Sequence, residues 1–344
     1  MASPDPKALQ HGGALDAAIA RHGGARADWL DLSTGINPSP PPLPKLDPTL
    51  WQRLPEGGLE HDALAAARRC YGAPKTAGIV AAPGTQALIA ALPRLFASTD
   101  VAILAPTYSE HALTFAAAGH RVSRFERLEA VSGAARIVVV VNPNNPDGRI
   151  FEPAELLALA DRLAAQDGLL VVDEAFADVD ASRSLASRTG RDGLLVYRSF
   201  GKFFGLAGLR LGFALTTPTL AAQLAERLGT WAVSGPALAI GAALLGNDAL
   251  VAETRAGILR QQRRLRTTLA AVGLPLVGGT GLFATVAHPG AHELFAALCR
   301  RHILTRPFQT PADWLRFGNP ADGAEAARLE TALRAALAEI DGAP

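Results

Sequence analysis

A lysine set among glycines and aromatic residues is the clearest chemical feature of the sequence. Lys202 lies in segment 199–212, three residues after Ser199 and eight before Arg210. Burial among apolar side chains favours the neutral form of a lysine amine, which can form a Schiff base with a carbonyl cofactor. A serine hydroxyl and a guanidinium can bind one phosphate, and glycines let the backbone approach a flat molecule. The segment therefore predicts a cofactor-binding lysine beside a phosphate site, although a surface lysine in a glycine-rich loop fits the segment alone.

Four further polar clusters each follow a short apolar segment. The segments are Ile79–Ala82, Val101–Leu104, Ile137–Val141 and Leu169–Val172. The residues that follow them are Gly84, Thr85 and Gln86 after the first, Tyr108 after the second, Asn145 within a doubled Asn-Pro motif after the third, and Asp173 after the fourth. Ligands of parallel sheets bind beyond the carboxyl ends of the strands, so these clusters are candidates for one binding site.

Each cluster suits a different part of a phosphorylated aromatic ligand. The turn at Gly84 opens a predicted helix whose first N–H groups, beside the Thr85 hydroxyl, can seat a phosphate, or Thr85 is an ordinary helix cap. Tyr108 can stack on a ring or pack in the core. A doubled Asn-Pro motif can aim an amide rigidly. A buried Asp173 requires a cationic partner, and a protonated pyridine nitrogen would be one.

The elements that must position these residues follow an alternating pattern. Apolar strands separated by amphipathic helices, with further strands expected at 194–197 and 211–214, predict an α/β fold with a mostly parallel central sheet flanked by helices. Helices expected at 85–96, 109–118 and 153–166 would cover that sheet. After Pro218 the pattern becomes helical and closes as a smaller α+β domain. The predicted domains are an N-terminal arm and loop over 1–48, a large domain over 49–230 and a small domain over 231–344.

Composition excludes several functional classes. The chain has 344 residues, a formal net charge of +1 and two cysteines, Cys70 and Cys299, without metal-ligand spacing. We therefore expect no nucleic-acid partner, no membrane association, no disulfide framework and no metal site. The first ten residues lack the apolar core of a signal peptide, which predicts a cytoplasmic enzyme acting on a small molecule.

Together, the five ordered motifs resemble those of the fold-type I pyridoxal-phosphate enzymes of the class I/II aminotransferase superfamily. The resemblance covers nearly the whole chain and implies pyridoxal 5′-phosphate as cofactor. It implies that Lys202 is the Schiff-base lysine and that Asp173 keeps the pyridine nitrogen protonated. The other roles it implies are ring stacking by Tyr108, a bond from Asn145 to the phenolic oxygen, and a phosphate cup of Gly84, Thr85, Gln86, Ser199 and Arg210.

Two positions depart from the pattern of this superfamily. Asp147 stands where a threonine is usual, which affects a turn more than a contact. Phe176 stands where many aminotransferases have a tyrosine whose hydroxyl also bonds the phenolic oxygen. The loss of that hydroxyl argues against a general transaminase.

Within the superfamily, His11-Gly12-Gly13 and the segment 31–38 resemble the L-threonine-O-3-phosphate decarboxylases of cobalamin biosynthesis. This resemblance implies a carbon–carbon lyase that converts L-threonine O-3-phosphate to (R)-1-amino-2-propanol O-2-phosphate. Arg316 would bind the substrate carboxylate and Arg306 the substrate phosphate, unless Arg306 only forms a surface salt bridge. His11, Gly35 and Asn37 complete the expected substrate site.

Two alternatives stay open from the sequence. A histidinol-phosphate aminotransferase or a related class I/II aminotransferase would use the same residues with a different bond aligned to the ring. A non-catalytic regulator with the same fold would usually carry a basic DNA-binding domain, and it would not need Lys202, Asp173 and Arg316 together. The resemblance also implies a homodimer with its sites at the interface.

Overall fold

A computed structural model describes residues 12–342. They form two compact units, which we call the terminal and the central unit. The terminal unit comprises the described residues up to Ser39, the tripeptide Pro146–Gly148, and the described residues from Ala256 onward. The central unit comprises Pro40–Asn145 and Arg149–Arg255. The units begin and end at other residues than the predicted domains, whose bounds at 48 and 230 stay a prediction.

The helices and strands of the described residues have the following bounds. The α-helices are α1 Leu15–His22, α2 Gly57–Tyr71, α3 Thr85–Ala91, α4 Glu110–Ala117, α5 Pro153–Ala164, α6 Phe200–Phe203, α7 Pro218–Leu228, α8 Gly235–Leu245, α9 Asp248–Ala271, α10 Ala291–Cys299 and α11 Gly323–Asp341. The strands are β1 Leu30–Asp31, β2 Gly78–Ala82, β3 Asp100–Leu104, β4 Arg121–Phe125, β5 Ile137–Val141, β6 Leu169–Asp173, β7 Leu194–Ser199, β8 Gly212–Thr216, β9 Leu276–Thr280, β10 Phe283–Ala287, β11 Ile303–Leu304, β12 Arg306–Pro307 and β13 Trp314–Gly318.

The central unit is built on a seven-stranded sheet in the order β2-β8-β7-β6-β5-β3-β4. Strand β8 runs antiparallel to both of its neighbours, and the other neighbouring pairs are parallel. The residues of β5, β6 and β7 are all buried, as expected for strands covered on both faces. The predicted mostly parallel sheet is therefore confirmed, and the carboxyl ends of β2, β3, β5, β6 and β7 lie at one edge of it.

The terminal unit joins the N-terminal segment to the C-terminal part of the chain. Strand β1 pairs in parallel with β11, and a four-stranded antiparallel sheet has the order β12-β13-β10-β9. Helices α10 and α11 pack on this sheet through a core that includes Leu294, Leu329 and Leu333. The predicted smaller α+β region is present, and residues 30–31 take part in it.

Most predicted elements are found within a few residues of their expected ends. Strand β5 has the predicted bounds, and Asp322 caps α11 by accepting hydrogen bonds from the N–H groups of Ala324 and Glu325. The sequence pattern does not predict α2, β4 or β9. Helix α2 begins with two glycines, and most side chains of the edge strand β4 are polar or exposed, so both lack the usual periodicity.

Strand β9 contains two glycines because another backbone segment crosses it closely. A Cβ atom built at Gly278 would lie 2.0 Å from the Asp147 carbonyl oxygen, and one at Gly148 would lie 2.1 Å from the Gly279 carbonyl oxygen. This approach attaches Pro146–Gly148 to the terminal unit. Glycine in a strand interior is unfavourable on propensity alone, so the packing decides its presence here.

Cys70 and Cys299 are free thiols, half-buried and buried respectively. Burial raises the pKa of the Cys70 thiol to about 11 and that of the Cys299 thiol to about 12. Within residues 12–342 no single helix is long and apolar enough to cross a membrane; α8 and α9 pass that test only when taken together as a bent pair.

Candidate active site

The carboxylate of Asp173 is buried at the end of β6 and contacts a histidine. Its Oδ2 lies 3.0 Å from Nε2 of His111, on α4, and its Oδ1 accepts a hydrogen bond from the Ala175 N–H at 3.1 Å. The side chains of Asp173 and His111 are 5% and 1% exposed. The His111 ring also stacks near Tyr197, with centroids 6.5 Å apart and an interplanar angle of 12°. These contacts fix the carboxylate in one orientation.

The surroundings of Asp173 favour its charged form. Burial alone raises the pKa of this carboxyl, but the His111 hydrogen bond and the charges of His111 and Lys202 outweigh burial and hold the pKa below its usual value. The carboxylate is therefore ionised at neutral pH. It can stabilise a proton on a ring nitrogen placed next to it.

Lys202 lies in the short helix α6, directly after strand β7. Its Nζ lies 4.7 Å from the centroid of the Phe176 ring. Phe176, the position that departs from the superfamily pattern, thus contacts the lysine with the face of its ring. The face of an aromatic ring attracts a cation, and it offers the amine no hydroxyl.

The predicted phosphate cup brings together two segments of the central unit. Gly84 has φ +82°, and a Cβ atom built on it would lie 2.6 Å from Nη2 of Arg210. A Cβ atom at Gly212 would lie 2.6 Å from the Thr85 backbone nitrogen. Arg210, itself at φ +55°, donates a hydrogen bond to the Ala207 carbonyl at 3.1 Å. Glycine at 84 and 212 is required to bring the guanidinium and the start of α3 together.

Tyr108 is held through its hydroxyl. The hydroxyl donates to Oε1 of Gln86 at 3.1 Å, and Nε2 of Gln86 donates to Glu110 at 3.0 Å. The Tyr108 ring meets His111 edge to face, with centroids 6.1 Å apart. Gln86 thus uses its side chain to orient Tyr108.

In the doubled Asn-Pro motif, Asn142 and Asn144 hold the loops around it. The Asn142 side chain bonds both the N–H and the carbonyl of Phe151, at 2.9 and 3.2 Å. Asn144 accepts from the Thr107 hydroxyl at 2.6 Å and donates to the Pro106 carbonyl at 2.8 Å, which ties it to the loop before Tyr108. Asn145, which is half-buried, stays the predicted ligand residue of the motif.

The terminal unit contains the two predicted substrate arginines on neighbouring strands. Arg306 on β12 lies directly opposite Arg316 on β13 in the antiparallel register, so both side chains project from the same face of the sheet. Arg316 is buried and packs over the Phe283 ring, 5.0 Å from its centroid. Burial, and then the charge of Arg306, lower the pKa of the Arg316 guanidinium from its usual value.

The remaining predicted site residues are Ser199, Gly35, Asn37 and His11. Ser199 is buried at the end of β7. Gly35 and Asn37 are buried in the terminal unit, where Asn37 accepts a hydrogen bond from the Ser39 N–H at 3.0 Å. His11 lies outside the described residues.

His111 is a functional candidate that the sequence analysis lacks. His111 comes three residues after Tyr108, a spacing at which two side chains can contact each other, and the two rings do so. This spacing is the signal in the sequence that could have indicated His111. A lone histidine in an amphipathic helix, however, has no visible partner in the sequence. Its partner Asp173 comes from a strand 62 residues later.

A family model described as aminotransferase class I and II matches residues 59–335. The chain belongs to this family. Its members use pyridoxal 5′-phosphate, the cofactor expected from the sequence. The chain is similar to a threonine-phosphate decarboxylase from Sinorhizobium sp., with 49% identity over 94% of this chain and 97% of the relative. A threonine-phosphate decarboxylase from Pseudomonas aeruginosa is 46% identical over the same shares.

The chain is also similar, at lower identity, to proteins named histidinol-phosphate aminotransferase. A histidinol-phosphate aminotransferase from Anaeromyxobacter sp. is 37% identical over 52% of this chain and 50% of its own length. Among solved structures, a histidinol-phosphate aminotransferase from Sinorhizobium meliloti in complex with pyridoxal-5′-phosphate has a TM-score of 0.78 and 23% identity, and covers 99% of both chains. That structural likeness confirms the fold-type I architecture.

The central unit fits the family's cofactor. The cradle at Gly84 would be filled by any side-chain Cβ, and it places a guanidinium beside the start of a helix, as a phosphate requires. Asp173 is the buried carboxylate that a pyridinium nitrogen requires, and the charge of Lys202 acts on it. The chemistry of each group thus corresponds to one part of pyridoxal phosphate.

Proposed function

We propose that this protein decarboxylates L-threonine O-3-phosphate to (R)-1-amino-2-propanol O-2-phosphate, a step of cobalamin biosynthesis. The observation that carries the proposal is the pair of arginines, Arg306 and Arg316, directly opposite each other on β12 and β13. Like charges at directly opposite positions destabilise a sheet, so such a pair favours a ligand that brings two anionic groups. The proposed substrate carries a carboxylate and a phosphate.

The relatives support the same choice. Those named threonine-phosphate decarboxylase match almost their entire length at nearly half identity. Relatives named histidinol-phosphate aminotransferase match either half of their length at 37% identity or most of their length at 29%. Phe176 in place of the usual tyrosine also favours the decarboxylase over a general aminotransferase.

We assign each residue a role in this reaction. In the central unit, Lys202 binds the cofactor covalently, and Gly84, Thr85, Ser199 and Arg210 bind its phosphate. Tyr108, oriented by Gln86, stacks on the ring, and Asn145 bonds its phenolic oxygen. When bound, pyridoxal phosphate accepts the electron pair that departing CO₂ leaves on Cα.

The charged residues select the bond that breaks. Asp173 holds the proton on the pyridine nitrogen, which its low pKa permits at neutral pH. Arg316 binds the substrate carboxylate as a bidentate pair and so sets the direction of the Cα–carboxylate bond, while Arg306 binds the phosphate. After CO₂ leaves, the Lys202 amine returns a proton to Cα. Gly35, Asn37 and His11 remain proposed members of the substrate site.

Product analysis tests this function. Purified protein is incubated with pyridoxal phosphate and L-threonine O-3-phosphate, without a keto acid, and CO₂ and the amine are quantified. One CO₂ per aminopropanol phosphate is expected. If no CO₂ forms, but 2-oxoglutarate and histidinol phosphate give glutamate, the aminotransferase is the correct function.

We also propose a cytoplasmic homodimer. Trp51 and Trp231 of the central unit are 71% and 60% exposed, and the turn before Trp51 contacts Gly235 through the Leu50 carbonyl. Exposed tryptophans are enriched at interfaces between protein chains. Light scattering after gel filtration should give twice the chain mass. A concentration-independent monomer would contradict the dimer.

A further inference from the structure

A short loop of the terminal unit lies along the end of strand β13 and contacts Arg316. The Ser33 carbonyl accepts a hydrogen bond from Nη2 of Arg316 at 2.9 Å. The Gly318 N–H donates to the Leu32 carbonyl at 2.7 Å, and a Cβ atom built at Gly318 would lie 2.3 Å from the Thr34 carbonyl oxygen. The loop is therefore pressed against the strand from Leu32 to Thr34.

The peptide of Ser33 is fixed by its own side chain and by Asp31. Both the N–H and the hydroxyl of Ser33 donate to Oδ1 of Asp31, at 2.9 and 2.6 Å. The hydroxyl also accepts a hydrogen bond from the Gly13 N–H at 2.8 Å. With Ser33 only 2% exposed, all of its polar groups have partners, and its carbonyl is held in one direction.

The glycine pair before α1 makes room for this arrangement. A Cβ atom at Gly12 would lie 2.4 Å from the same Ser33 carbonyl oxygen that binds Arg316. Gly13 has φ +87°, a conformation that other residues rarely adopt. Gly12-Gly13, part of the motif that resembles the decarboxylases, thus packs on the residue that contacts Arg316.

We propose that Ser33 is a positioning residue for Arg316 and that Asp31 fixes Ser33 in place. An arginine side chain has several rotatable bonds, and a fixed acceptor behind one of its nitrogens orients the planar guanidinium before the substrate arrives. The inference rests on the proposed function, since that function gives Arg316 the substrate carboxylate. Ser33 itself does not touch the substrate and acts through Arg316.

The test compares two ligands that differ in the carboxylate. L-threonine O-3-phosphate has one and phosphoethanolamine lacks it, while both have an amine and a phosphate. In holoenzyme Ser33→Ala, the carbonyl that accepts from Arg316 stays, but the hydroxyl bonds to Asp31 and Gly13 that hold this peptide in place are lost. The KM for threonine phosphate should therefore rise about tenfold, since the guanidinium is no longer held in one orientation. The inhibition constant of phosphoethanolamine should stay within about twofold, because it does not use Arg316. Asp31→Ala should change the KM in the same direction, and Asp31→Asn, which keeps an acceptor oxygen, should change it less.

A matched control distinguishes an effect on Arg316 from a general loss of stability. Ser39 lies in the same loop, and its hydroxyl accepts a hydrogen bond from Gln261 at 2.9 Å. Ser39→Ala removes an equal volume and a hydrogen bond, and both constants should stay at the wild-type values. Thermal unfolding of the apoproteins shows whether Ser33→Ala is folded.

The outcomes separate this inference from the proposed function. The positioning role is wrong if folded Ser33→Ala binds both ligands more weakly by the same factor. It is also wrong if the KM for threonine phosphate is unchanged in Ser33→Ala while Arg316→Ala no longer binds threonine phosphate. Either result leaves the proposed function standing. If the wild type releases no CO₂, the proposed function fails. The affinities of the same two ligands, measured from the change in cofactor absorbance, then still decide whether Ser33 acts selectively on carboxylate binding.

Discussion

The central and terminal units treat buried charge in opposite ways. In the central unit, Asp173 contacts His111, and Arg198 binds Glu174 at 2.7 Å and Asp178 at 2.6 Å, so opposite charges lie together. In the terminal unit, Arg306 and Arg316 lie opposite each other as like charges. In the first arrangement the protein supplies the opposite charges, and for the second the proposed substrate brings two anionic groups.

This difference corresponds to the two proposed ligands, a cofactor that stays bound and a substrate that binds and leaves in each turnover. A cofactor that stays bound is best served by groups that are already oriented and ionised, because their charges are compensated without it. A substrate that binds and leaves can supply the compensating charge itself, which makes its binding selective for anions. Substitutions in the central unit should therefore act on the cofactor, and substitutions in the terminal unit on substrate affinity.

The largest effect is expected for Lys202→Ala. Loss of the covalent attachment and of the proton-carrying amine should lower kcat for CO₂ release by at least about ten-thousandfold. Borohydride reduction followed by peptide mass spectrometry should find the cofactor on residue 202 of the wild type only. Lys75→Ala, at an exposed lysine, serves as the control and should keep full activity and labelling. If another lysine of the wild type carries the cofactor instead, Lys202 is not the residue that binds it covalently.

A smaller but selective effect is expected for Arg316→Ala. Loss of the charge that binds the carboxylate should lower kcat/KM for threonine phosphate by about a hundredfold to a thousandfold. Cofactor affinity should stay at the wild-type value, which equilibrium dialysis checks. The exposed Arg334→Ala is the matched control. If Arg316→Ala also binds the cofactor more weakly, the proposal that the central unit binds the cofactor and the terminal unit the substrate is wrong.

Gly84→Ala should weaken cofactor binding by about tenfold or more. The added Cβ displaces the Arg210 guanidinium from the cup, and φ +82° strains any residue other than glycine. Gly229→Ala is a close control, because Gly229 has φ +83° and no atom within 4 Å of the built Cβ. It carries the backbone strain without the steric contact. Equal cofactor dissociation constants for the two variants would show that the cup does not depend on Gly84.

The smallest effect concerns the pH dependence of stability. The folded pKa of Asp173 lies below its usual value of 3.8, so its ionisation contributes stability above that pH, and the contribution is lost as pH falls through the lower folded pKa. His111→Leu removes the hydrogen bond that lowers this pKa and should move the loss to higher pH. Urea unfolding from pH 6 down to about pH 2, which covers the range below 3.8, measures this loss of stability, with Asp173→Asn as the reference. Identical pH curves for wild type and His111→Leu would contradict the role of His111.

The sequence predicts the elements of the cofactor site better than its contacts. Lys202, Asp173 and Tyr108 can be found because each follows an apolar strand, and local periodicity defines strands. The sequence does not show that Gln86 holds the Tyr108 hydroxyl, or that Asn144 clamps the Tyr108 loop. Hydrogen bonds between distant segments leave no periodic signal.

The alternation of strands and helices and the mostly parallel sheet follow from the amino-acid sequence, because they depend on local propensity and on burial patterns of two or 3.6 residues. The family motifs follow from residue types at given spacings. The folded chain is needed to show that β1 pairs with β11, that His111 contacts Asp173, and that Ser33 contacts Arg316. The partner of a residue depends on how the elements pack, and packing brings together residues that are far apart in the chain.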